Sequence, residues 1–269
     1  MTRGYQAVSA AEQDTSSLAG CLVDAIENAR AVEHPFFHLE FDQVFPRSLY
    51  ERMMHLKPDL SDYRPYRGRR DVNVLPDGTC TRHKLDLFPE SVRRLPPGKR
   101  AVWAAVGRAL SAKSVEAAFR RRLAANLGRR FGASSSNVKL YPVPALIHDR
   151  TGYRIKPHTD SEGKGMTVQF YLPPDALYSH VGTVFHEVLP NGLLPKSSRM
   201  KFAPNSGYAF AVGDDTWHSA DPVGPQVPAR DSILLTYFID AGVLRFLSNR
   251  GKRIGNLVLG EARRLNANS

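Results

Sequence analysis

From Gly132 to Asp240 the chain is cut into short β-rich runs by Gly, Pro, Asn and Asp: "VKLYPVPALIHD", "YRIKPHTD", "GMTVQFYLP", "GTVFHEVLP", "RMKFAP", "GYAFAVG", "WHSADPV" and "DSILLTYFID". This is the strongest constraint on the fold. Runs this short, broken this often, cannot sustain amphipathic helices. They read as strands that must pair with one another and bury one face, so they predict a sandwich or barrel. Ahead of them the texture is helical and mixed. Residues 16–31 read as a helix, "FFHLEFDQVF" as a strand, and "PRSLYERMMHLKP" as a short helix with Pro at its start and after its end. "GRRDVNVL" reads as a strand, and residues 98–131 as two helices, "GKRAVWAAVGRALS" and "SVEAAFRRRLAANLGRRF". The reading is one domain over 1–269: a flanking region at 1–135, a β core at 136–240, and a basic, partly helical extension at 241–269 expected to pack on the core or fray.

Composition narrows the class. Hydrophobic residues make up 42 % of the 269, which suits a globular protein and excludes a disordered one. No apolar run reaches about 18 residues, so no membrane span is expected. The first residues, "MTRGYQAVSAAEQDTSS", lack the apolar centre of a secretory signal. Cys21 and Cys80 are the only cysteines, and a reduced, cytoplasmic setting is expected. The net charge of +11 raises the question of an acidic partner. Its main cluster places Arg120, Arg121, Arg122, Arg129 and Arg130 around Phe119, Leu123 and Leu127 at helical spacing. That pattern reads as the solvated face of an amphipathic helix, so no nucleic-acid partner is expected.

Within the β-rich half, His158 and Asp160 are separated by one residue and share a strand face. Two His and one carboxylate on one side of a metal, with its other positions open, suit ferrous iron. A third ligand is therefore sought among the remaining histidines. His34, His38, His55, His83, His148 and His180 sit in contexts that a surface or satisfied core residue explains. His186 in "TVFHEV" alternates on a strand and is the main rival. His218 follows a strand and a tight Gly-Asp turn in "GYAFAVGDDTWHSADPV", and Arg230 opens the next strand twelve residues later.

His158-x-Asp160, then His218, then Arg230-x-Ser232 resembles the Fe(II)/2-oxoglutarate-dependent oxygenase superfamily, from about Val138 to Asp240. The segment "HPFFHLEFDQVFPRSLYERM" more loosely resembles the start of many bacterial members. The resemblance implies a double-stranded β-helix, or jelly roll, with flanking helices. It implies Fe(II) on His158, Asp160 and His218, with 2-oxoglutarate as co-substrate and O2 as oxidant. It also implies that Arg230 and Ser232 hold the distal carboxylate of 2-oxoglutarate, because a guanidinium grips a carboxylate bidentately and a hydroxyl adds a donor. Tyr141 resembles the Tyr-Pro element that some branches place beside that carboxylate.

The implied reaction releases succinate and CO2 and hydroxylates a C–H bond. Halogenating relatives carry Gly or Ala at the carboxylate position, so Asp160 points to hydroxylation or to a variant such as desaturation or cyclisation. The demethylase branch carries a second Arg six residues after the first, and position 236 here is Thr. A small-molecule substrate is expected, such as an amino acid or natural-product intermediate. A protein side-chain hydroxylase, or a non-catalytic cupin-like protein that binds a metal or metabolite, is the alternative. Thr167, Gln169 and Tyr171 share one strand face, and Gln169 there needs a polar partner. Arg82, His83, Arg154 and Lys156 are candidates to clamp an anionic substrate. Substrate identity, the position oxidised and the oligomeric state are left open by the sequence.

Overall fold

A computed structural model describes residues 10–68 and 70–240; the expectation for 241–269 lies outside them. The front part runs α1 (Ala10–Glu27), β1 (Arg30–Val32), β2 (His38–Phe41), α2 (Arg47–His55), β3 (Arg64–Pro65), α3 (Arg70–Asn73), β4 (Arg82–Asp86), α4 (Pro89–Val92), α5 (Pro97–Leu110), α6 (Lys113–Arg122) and α7 (Ala124–Phe131). The β-rich part runs β5 (Leu140–Asp149), β6 (Ile155–His158), β7 (Lys164–Tyr171), β8 (Val184–His186), β9 (Lys196–Arg199), β10 (Gly207–Ala211), β11 (His218–Ala220) and β12 (Arg230–Ile239).

Strands β5 to β12 form the jelly roll. Four of them lie in the order β10-β7-β12-β5 and the other four in the order β6-β11-β8-β9, so the chain crosses between two facing sheets as it advances. Pairing is antiparallel throughout, and the longest ladder runs from Arg230↔Asp149 to Ile239↔Leu140. The front part widens the larger sheet at both edges, giving β1-β2-β10-β7-β12-β5-β4-β3. Pro142 and Pro144 lie in the half of β5 that β12 alone pairs, where a missing N–H costs no bond to β4.

Alternation along the strands sorts side chains between two cores. Met166, Val168, Phe170, Ile233, Leu235 and Tyr237 face outward, where α1, α5, α6 and α7 cover them with Leu22, Trp103, Phe119 and Leu127. Tyr171, Tyr208 and Phe210 face inward and pack with Phe185 of the smaller sheet. Thr167 and Gln169 share the inward face with Tyr171.

Several boundaries differ from the expectation. The helix predicted to Ala31 ends at Glu27, and Arg30–Val32 is a strand. Arg122 from α6 bonds the carbonyls of Glu27 and Ala29, which satisfies that helix end from outside. "GRRDVNVL" is not a strand: Arg70–Asn73 is a helical turn, and only Val74 makes a bridge, to Cys80, around a reversal at Gly78 (φ 87°). The helix predicted over 114–131 breaks at Leu123 into two helices that both keep their apolar side inward. Lys196–Arg199 replaces the strand predicted from Arg199 onward, and β4 is a strand that the sequence does not predict.

The basic cluster is largely internal wiring. Arg120 bonds Glu116 and the carbonyls of Ser135 and Val138, and Arg121 pairs with Glu27. Arg130 bonds the carbonyls of Glu162, Lys164 and Val212, next to the start of β7. Both cysteines are free, and no helix among the described residues is long and apolar enough to cross a membrane.

Candidate metal centre and its cavity

The end of β6 and the start of β11 are paired, and that register sets His158 directly opposite His218. Their rings lie 4.4 Å apart. Asp160 follows two residues after His158, and one ligand atom from each of the three lies within 4.8 Å of the other two. Each imidazole donates its Nδ1–H to the carbonyl two residues before it, His158 to Lys156 (3.0 Å) and His218 to Thr216 (3.0 Å). A carbonyl only accepts, so this fixes the proton on Nδ1 and leaves Nε2 as the lone-pair atom. Burial holds His218 below its ordinary pKa against the pull of Asp160, and a neutral ring is the form that ligates.

For Asp160, burial works against ionisation. The Lys164 ammonium (2.5 Å) and the Thr167 hydroxyl (2.6 Å) outweigh it and hold the carboxyl well below its usual range. Two imidazole lone pairs and one carboxylate on one side fit a divalent transition cation. His186 does not compete: its Nδ1 bonds the Leu194 carbonyl (3.0 Å) and its Nε2 the Ser219 hydroxyl (2.8 Å).

The cluster opens onto a cavity of about 190 Å³ inside the roll. Val143, Ala145 and Ile147 of β5, with Leu234 and Phe238 of β12, form an apolar wall. Beyond the ligand cluster the lining is polar at Gln169, Thr183, Tyr208, Arg230 and Arg82. Gln169 receives the Tyr208 hydroxyl (2.7 Å) on Oε1 and donates from Nε2 to Ser232 (2.9 Å). Thr183 bonds Tyr171, Tyr208 and the Arg230 guanidinium (2.9 Å). Gly182 makes this placement possible, since a Cβ there would stand 1.7 Å from the Met200 carbonyl.

Arg230 is 2 % exposed. It donates to the Val181 carbonyl (2.8 Å), to Asp149 (3.1 Å) and to Thr183. Ser232 is fully buried beneath Gln169 and does not line the cavity. Tyr141 is half-buried and stacks on Phe238, which does line it. Arg82 reaches the cavity. His83, the next residue on β4, points to the other face of the sheet, beside His148. Arg154 and Lys156 are exposed and line no part of the cavity, though Tyr153 and Ile155 between and beside them do. The cluster and the polar lining thus share one cavity, and His83, Arg154 and Lys156 fall outside it.

Sequence reasoning missed Asp149, Thr183, Lys164 and Tyr208. Lys164 alone carried a local signal, four residues after Asp160. The others are joined to their partners only by strand pairing.

Chains of known structure with a similar fold include a prolyl-4-hydroxylase from Pseudomonas putida (14 % identity, TM-score 0.47, covering 83 % of this chain and 100 % of that one). Another is a prolyl hydroxylase from Trichoplax adhaerens in complex with a hypoxia inducible factor oxygen degradation domain peptide fragment (13 %, 0.45, 84 % and 91 %). A third is an oxidoreductase of the 2OG-Fe(II) oxygenase family from Burkholderia pseudomallei (12 %, 0.43, 90 % and 95 %). No protein-family model matches the chain. No curated protein matches it either. Likenesses this distant leave function to be argued from the residues.

Proposed function

We propose that the protein is a non-haem Fe(II)/2-oxoglutarate-dependent oxygenase that hydroxylates a C–H bond of a small molecule, such as an amino acid or a natural-product intermediate. One observation carries this reading. His158, Asp160 and His218 converge to within 4.8 Å at a jelly-roll cavity that also holds the buried Arg230. Ferrous iron bound there would supply the redox chemistry that couples conversion of 2-oxoglutarate and O2 to succinate and CO2 with oxygen insertion into the substrate.

The chain's own residues supply placement. The carbonyls of Lys156 and Thr216 aim the two imidazoles, and Lys164 and Thr167 hold the Asp160 carboxylate ionised and oriented. Arg230, steadied by Thr183, offers charge to the distal carboxylate of the co-substrate. The wall of Val143, Ala145, Ile147 and Leu234 would give a bound substrate an apolar side to pack on. Asp160 occupies the position that a halide would need, which favours hydroxylation.

The test is succinate release from 2-oxoglutarate in a screen that starts with free amino acids and their derivatives. The expected result is release that requires both Fe(II) and 2-oxoglutarate and is lost in His218→Ala. Undiminished release in that variant would contradict the ligand set.

A further inference from the structure

We infer that Arg82, on β4 outside the eight-strand roll, is a second carboxylate-binding residue of the cavity. It acts with Arg230 on the end of a dicarboxylate remote from the His158–Asp160–His218 cluster. The inference rests on the 2-oxoglutarate reading and goes beyond it by adding a group that the roll itself does not supply.

The register puts Arg82, Asp149 and Arg230 in one row across β4, β5 and β12. Arg82 forks both oxygens of Asp149, from Nε to Oδ1 (2.6 Å) and from Nη2 to Oδ2 (2.8 Å). Arg230 Nη1 donates to the same Oδ2 (3.1 Å). The two guanidinium groups are therefore neighbours, both at the cavity, and one carboxylate stands between two cations. One positive charge in this row is left over. Among the described residues the one carboxylate lining the cavity, Asp160, is already paired with Lys164. A surplus charge in so buried a place is costly unless an anion meets it.

Accessibility then separates the two arginines. Arg230 has each of its three nitrogens committed, to Val181, Asp149 and Thr183, and its side chain is 2 % exposed. The Arg82 side chain is 16 % exposed, and its Nη1 makes no hydrogen bond among the described residues. Its guanidinium lies 4.0 Å over the Tyr153 ring, which fixes its plane. Arg230 thus supplies charge from behind, and Arg82 supplies donors at the surface of the cavity. Ser232, held beneath Gln169, cannot fill that role.

The test uses the full chain loaded with Mn(II), with binding measured by calorimetry. The probes are 2-oxoglutarate and 2-oxobutyrate, which shares the 2-oxo acid head and lacks the distal carboxylate. Wild type should prefer 2-oxoglutarate. Arg82→Gln should weaken 2-oxoglutarate binding by about 10- to 100-fold and leave 2-oxobutyrate within about 2-fold. An undiminished preference in Arg82→Gln would overturn the inference and leave the oxygenase reading standing. Wild type that binds neither acid would overturn both. Should the variant not fold, phenylglyoxal labelling of wild type decides: 2-oxoglutarate should block modification of Arg82 and 2-oxobutyrate should not. Modification of Arg82 that 2-oxoglutarate does not slow would overturn the inference.

Discussion

At the residue scale, the cluster owes its readiness to what stands behind its members. His158 and His218 each carry a backbone carbonyl on Nδ1, and Asp160 carries Lys164 and Thr167. Removing such a support leaves the ligand in place but frees it to turn. Thr167→Val should weaken Mn(II) binding by about 10-fold, measured by calorimetry, with little change in thermal stability. Unchanged affinity would show that Lys164 alone orients the carboxylate. That His158, Asp160 and His218 come together was legible in the sequence, because they lie at strand ends with a recognisable order; the groups behind them were not. Ser232 shows where legibility stops. Its spacing from Arg230 predicts a shared face, which the ladder provides, but Gln169 from another strand covers it.

At the element scale, β4, β5 and β12 carry paired rows on their two faces. Inside the roll the row is Arg82, Asp149 and Arg230; behind it is His83, His148 and Asp231. On the rear face His148 Nδ1 donates to Asp231 (2.7 Å), and Lys57 pairs with the same carboxylate. His83 is buried, and its Nδ1 has no partner among the described residues. Burial, with His148 and Arg150 nearby, holds its pKa below 6.5. The folded protein therefore binds fewer protons than the unfolded chain once pH falls below about 6.5. The stability given by neutral His83 is present above that value and is lost as pH falls toward the folded pKa. The slope is at most about 1.4 kcal/mol per pH unit for this group. Urea unfolding between pH 7 and pH 5 should show a shallower decline for His83→Leu than for wild type, and parallel curves would contradict the assignment.

None of this row structure is visible in the sequence, because residues 82, 149 and 230 meet only through pairing between distant segments. β4 itself is not predicted by the sequence, although "RHKLD" alternates, since a five-residue run of charged and apolar residues resembles a loop edge as much as a strand. The "GRRDVNVL" error has the same origin: alternation over so short a stretch does not tell a strand from a helical turn that leads into a tight reversal.

At the scale of the whole molecule, the roll was legible because eight short runs broken by turn residues leave few other ways to bury their faces. Its order, β10-β7-β12-β5 against β6-β11-β8-β9, places the ligand cluster at the edge of one sheet and the arginine row on the other, with the cavity between. The front part completes that arrangement, since β4 brings Arg82 and the helices cover the outer core. The central claim is that the cluster holds Fe(II) and 2-oxoglutarate together in this cavity. Its most direct test is the visible spectrum of the folded protein titrated anaerobically with Fe(II) and then 2-oxoglutarate. A weak metal-to-ligand charge-transfer band that saturates at one equivalent of each is the expected result. An iron-loaded, folded protein in which 2-oxoglutarate raises no such band would contradict it.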